Sequence, residues 1–169
     1  MASREEGLAS FDAARGMFVD AYAGVPDDAL AFLVPGEDYA LGGLVVHANT
    51  VLDHYQFVFE GLVGGGFETF RAADPPGFWE QAGEAAKAGL TPADRVGAFA
   101  GLEARHARFV YAARALPEQD WVRKAEVFYG DAQEPYPTSP EDILGWLIAH
   151  YLEHVPQVAE LHQAWQGGS

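Results

Sequence analysis

The sequence predicts an all-α fold, a four-helix bundle with long connections. Two observations carry that expectation. Four segments of about twenty residues repeat apolar side chains at steps of three and four, the period of a helix with one buried face. Glycine and proline clusters stand between those segments and almost nowhere inside them. Helices of this length joined by long loops bury their apolar stripes against each other.

The first helix is predicted over about Leu8–Ala23, with Leu8, Phe11, Arg15, Phe18 and Tyr22 in step and Met17 and Val19 widening the apolar side. Gly24 and Pro26 end it, and Asp27-Asp28 start a short turn that Pro35-Gly36 halts. The second helix is read from Tyr39 to Val63 on the stripe Leu44, Ala48, Val51, Tyr55, Val58 and Leu62, closed by three glycines at 64–66. Residues 64–77 read as loop and Phe78–Ala88 as a short helix. Thr91-Pro92 opens the third long helix, a cap residue followed by a proline whose missing N–H costs nothing at the first helical position. It runs to Leu116 along Val96, Phe99, Leu102, His106, Phe109 and Ala113. Residues 117–138 form a long, partly extended connection. Ser139-Pro140-Glu141-Asp142 repeats the start signal for the last helix, Pro140–Trp165, and Gly167-Gly168-Ser169 reads as a frayed end. Pro156 within that helix is expected to kink it. No repeat or second domain interrupts residues 1–169.

A chain of 169 residues, 49% apolar, buries a full core without cross-links. It has no cysteine, which removes disulfides, thiolate metal sites and a protein thiol nucleophile. Its formal charge is −15, with ten basic residues against twenty-five acidic ones. Nucleic-acid backbones and anionic lipid are bound by neutralising phosphates, so neither is an expected partner. The acidic start Met1–Glu6 leads into no long apolar run, and no segment approaches the ~18 apolar residues of a membrane span. A cytoplasmic location is the expectation.

The most specific motif is His150-Tyr151-Leu152-Glu153-His154. Side chains four apart lie one turn above each other, so two imidazoles there converge on one cation. Both fall on the inward stripe of Ile143, Leu147, Val158 and Leu161, where unpaired polar groups cost about 1–3 kcal/mol each. A third ligand has to come from another helix, and four histidines remain. His47 borders the second helix's stripe. His54 lies two turns further, roughly 10 Å away, too far for both to bind the same ion. His106 follows Glu103 in a Glu-x-x-His arrangement, but a di-iron site needs a second copy and none is present. His162 reads as solvent-facing. Trp146 is read as core or as a pocket wall, and Glu153 and Asp53 as solvated or as carboxylates that orient a ligand imidazole.

The last helix resembles the DinB/YfiT-like pattern His-x-x-x-His-x-x-Gln-apolar at His150, His154, Gln157 and Val158. Tyr39, Ala40 and His47 resemble that family's aromatic-Ser-x₆-His start, and Val25–Leu30 the acidic turn before it. Ala40 and Pro156 depart from the pattern, which has a capping Ser or Thr and a small residue at those places. The resemblance implies a three-histidine site made by His47, His150 and His154, holding a divalent metal, zinc or nickel above all. It also implies a homodimer. Several members use low-molecular-weight thiols, among them mycothiol-dependent maleylpyruvate isomerases and bacillithiol S-transferases. A metal-dependent thiol S-transferase or thiol-dependent isomerase acting on a small molecule is therefore the implied function. Three neutral imidazoles leave coordination positions open, and a thiol bound there becomes a thiolate nucleophile supplied by the cofactor. The alternative is a non-catalytic helical bundle, metal-binding or metal-free, that acts by binding or assembly.

Overall fold

The computed structural model describes residues 3–168; Met1, Ala2 and Ser169, read above as parts of the chain ends, lie outside the described residues. The protein is mostly helical, with four long helices and a small three-stranded sheet around a contiguous apolar core. Among the described residues, no helix is long and apolar enough to cross a membrane.

Helix α1 (Arg4–Asp20) starts one turn earlier than its apolar stripe. The reason is local: Ser3 and Glu6 form a reciprocal capping box that satisfies two N-terminal N–H groups. Leu8, Phe11, Ala14 and Phe18 are buried, whereas Met17 points outward. The acidic turn at Asp27–Ala29 follows as expected.

Helix α2 spans Gly43–Gly64, four residues shorter at its start than the stripe suggested. The preceding residues are held in a different way. Ala40 N–H donates to Ala86 O (3.0 Å), Leu41 N–H to Phe32 O (2.8 Å) and Gly42 N–H to Leu30 O (2.8 Å). Tyr22 Oη adds a buried bond to Leu41 O at 2.6 Å. These distant backbone partners outweigh helix formation over residues 39–42 and fix the entry to α2. Gly43 lets α3 (Phe78–Ala88) sit directly on this corner, because a Cβ there would lie 1.7 Å from Ala86 O.

Helix α4 (Arg95–Ala115) is entered through a one-turn 3₁₀ segment, Pro92–Asp94, capped by Thr91 and Asp94. Leu102, His106, Phe109 and Ala113 are buried, but Val96, assigned to the same stripe, is 79% exposed at the helix start. The connection that follows holds a short helix, α5 (Glu118–Trp121), and two strands, β2 (Ala125–Tyr129) and β3 (Tyr136–Thr138), paired antiparallel. The sequence predicts only a partly extended connection over these residues. A third strand, β1 (Phe70–Ala72), comes from the segment read as loop and pairs parallel with β2, in the order β1-β2-β3. Its three residues are too few to show a two-residue period.

Helix α6 (Pro140–Gly167) opens on the predicted Ser139–Asp142 capping box and runs on through the exposed Pro156. It packs against both α1 and α2, and α2 in turn packs against α3 and α4. The seam between α2 and α6 brings His47, His150 and His154 together.

Candidate metal centre

His47 sits one turn into α2, and His150 and His154 occupy successive turns of α6 across the seam. Each faces the other helix because its neighbours in step are core residues: Leu44 and Val51 around His47, Leu147 and Val158 around the α6 pair. His150 Nε2 lies 2.9 Å from His47 Nε2 and 3.1 Å from His154 Nε2. One donor atom from each of the three lies within 4.8 Å of the others, close enough to hold one metal ion.

The remaining ring atoms decide what these nitrogens present. His154 Nδ1 is 2.5 Å from Gln157 Oε1, a carbonyl oxygen that only accepts, so Nδ1 carries the proton and Nε2 offers its lone pair to the cluster. Burial, reinforced by the neighbouring His154, pushes His47 down to about 4. Burial, with His154 and His47 beside it, pushes His150 down to about 3. Both rings are thus neutral at neutral pH, as metal ligands must be. A tetrahedral cation with bonds of about 2.0–2.1 Å spaces its ligand nitrogens by about 3.3 Å, so the observed gaps open only slightly to accept one. The donor set fits a borderline divalent metal such as zinc or nickel.

Around the triad the walls are aromatic. Tyr39 lies against His47 (ring centroids 4.6 Å) and edge-on to His154 (5.9 Å). Burial, then the carboxylates of Asp38 and Glu153, hold its phenol above the usual range, so it stays protonated. A cavity of about 340 Å³ is lined by His47, Tyr39, Trp79 and Lys87 among others. One turn before His150, Trp146 meets Tyr55, Tyr129 and Tyr136 at 5.6, 6.4 and 5.8 Å between centroids, half-buried and packed on the core.

The other histidines are elsewhere. His54 pairs with Asp74, apart from the triad as its two-turn offset requires. His106 is buried and stacked on Phe11 (3.9 Å), with Nε2 2.7 Å from Asp12 Oδ1. Glu103, its expected companion, instead pairs with Arg15. His162, read as facing solvent, is half-buried beside Gln166 and Trp165. The carboxylates suggested as orienting groups do not act so: Asp53 pairs with Arg105 at 2.9 Å, and Glu153 is exposed with no bond to a ligand ring. That task falls to Gln157, which the sequence reading named only as a matching letter in a pattern. An amide three residues beyond a buried histidine on one helix was the available signal.

No known family profile matches the sequence, and no similar curated protein is found. A crystal structure of a structural-genomics protein from Streptococcus pneumoniae is similar in fold, with a TM-score of 0.67. At 8% identity, over 99% of this chain and 92% of that one, the likeness concerns fold alone.

Proposed function

We propose that the chain is a divalent-metal-dependent enzyme of the DinB/YfiT-like four-helix type, working on a thiol-bearing small molecule at His47, His150 and His154. The observation that carries this reading is the convergence of three imidazoles, one of them held in a single tautomer by Gln157. A structural site closes four positions with protein ligands, whereas three leave room for an exogenous group. The His-x-x-x-His-x-x-Gln spacing gains a physical reason here, since its glutamine bonds the second histidine.

A divalent cation in this place supplies a Lewis acid that lowers the pKa of a thiol or water. The rest belongs to the chain. His47 and His150 stay unprotonated because they are buried, with His154 beside both. Tyr39 keeps its proton beside them and offers a hydroxyl donor to a charge developing in the cavity. With no cysteine in the chain, the sulfur of a thiol reaction is brought by the small molecule.

Metal analysis of protein purified without an affinity tag or nickel column tests the reading. Zinc or nickel near one equivalent is expected. His47→Ala, His150→Ala and His154→Ala each remove it, while His54→Ala, His106→Ala and His162→Ala retain it. Folded wild-type protein that takes up no zinc, nickel, cobalt or manganese sinks the proposal and leaves the binding-module alternative. Metal-loaded protein is then assayed with glutathione, bacillithiol, mycothiol and coenzyme A against electrophiles, and activity is expected to vanish on chelation.

A further inference from the structure

His54 and Asp74 form a second pair of chemically competent groups that the metal centre does not use. The imidazole Nδ1 lies 3.1 Å from Asp74 Oδ1 and 2.9 Å from Oδ2, and both side chains are nearly buried, at 11% and 12% exposure. A carboxylate only accepts, so Nδ1 carries the hydrogen and the lone pair of the neutral ring is on Nε2. Asp74 is itself anchored, because Trp79 Nε1 donates to its Oδ2 at 2.9 Å. Nε2 has no protein partner among the described residues and is not a buried atom, so it opens to solvent. A histidine aligned by a buried acid with its second nitrogen free is the arrangement of a general acid–base group.

Its position sets it beside the cavity that His47 lines. His54 and His47 are two turns apart on one side of α2, roughly 10 Å by helical rise. Trp79 joins the two places, since it lines the cavity that holds His47 and lies 5.2 Å from the His54 ring. Tyr55 and Tyr129 complete the surround at 5.0 and 6.3 Å. We infer that His54, oriented by Asp74, is an acid–base group for the far end of a ligand whose head is held at the three-histidine centre.

The ligand class follows from the geometry, given the function proposed above. It is an elongate small molecule with a weakly acidic hydroxyl or thiol about two helical turns from its metal-binding head. In the step, the His54 Nε2 lone pair forms an N–H bond. The O–H or S–H bond breaks and its electron pair stays on oxygen or sulfur. The imidazolium is balanced by the Asp74 carboxylate, and the proton returns to the product anion when the ring is neutral again.

A pair that merely pinned the loop to α2 would show the bond but not an activated nitrogen. The test therefore reads nucleophilicity. Diethyl pyrocarbonate acylates neutral imidazole nitrogens, and the folded protein is treated in mildly alkaline buffer, with and without zinc, then digested so that modification of each histidine is followed by peptide mass spectrometry. His54 is expected to react fastest of the six, and several-fold slower in Asp74→Asn, which keeps a hydrogen-bond acceptor and removes the charge. Nitrogen-15 spectra are expected to place its proton on Nδ1, with a low-field resonance lost in Asp74→Asn. His54 reacting no faster than His162, or a proton found on Nε2, overturns the inference. Running the reaction without zinc keeps this result separate from metal binding, and His54→Gln retaining full zinc confirms that the two centres are distinct.

Discussion

Gln157 belongs to the candidate centre through His154 and is not one of the three histidines that could hold an ion. Its carbonyl holds the Nδ1 proton of His154 and thereby keeps Nε2 as a ligand. Partners of this kind alter metal affinity by about 10–100-fold when removed. Gln157→Leu is therefore expected to weaken zinc binding by about that range in a chelator-competition titration while leaving the melting temperature of the metal-free protein close to wild type. An unchanged affinity would remove Gln157 from the site. The His150–His154 pair was readable from sequence because residues four apart on an inward stripe have one geometry, whereas His47 was singled out from His54 and His106 only by the family resemblance. The partner of His54 was not readable. Asp74 is twenty residues away in a loop whose path depends on α3 and β1, and no local period reports such a contact.

Among the elements, the corner of Leu30–Phe32, Tyr39–Gly43 and Ala86 places His47. Ala86 O receives the Ala40 N–H and lies against the bare Cα of Gly43. Gly43→Ala forces a methyl into that carbonyl and separates α2 from α3. Overpacking of this kind costs about 1–3 kcal/mol or more. A melting temperature lower by several degrees, with weakened zinc binding because His47 shifts with α2, is the expected outcome. A variant with wild-type stability and affinity would mean that this corner does not position the ligand. The start of α2 was misread for the same reason. Three backbone bonds to remote residues hold 40–42 out of the helix, and the sequence shows only apolar residues continuing the stripe. The four long helices were legible because each carries five or more in-step positions, two of them after a capping signal, while strand β1 has too few residues to carry a signal.

At the scale of the whole molecule, buried histidines couple folding to acidity. Burial depresses His47 to about 4, His150 to about 3, and His106 below its ordinary value despite the opposing pull of Asp12. In the unfolded chain these groups titrate near ~6.5. From ~6.5 down to the folded values the unfolded state binds protons that the folded state refuses. Stability of the metal-free protein is therefore full above that region and is lost as pH falls through about 4 and 3. Thermal melts between neutral pH and pH ~4 are expected to show a steady decline, shallower in His150→Gln, where one reluctant proton acceptor is gone. An identical slope in wild type and variant would show that the triad does not govern acid sensitivity.

The separation of the ligands along the chain has one more consequence. His47 and His150 are 103 positions apart, so an ion with one equivalent site in the folded protein meets at best the His150–His154 pair in the unfolded chain. By mass action, free metal at 100 times its dissociation constant adds about 2.7 kcal/mol to stability. With an ion on the triad, resistance to proteolysis is expected to rise with the free ion around the protein, which limited digestion across a zinc titration would read.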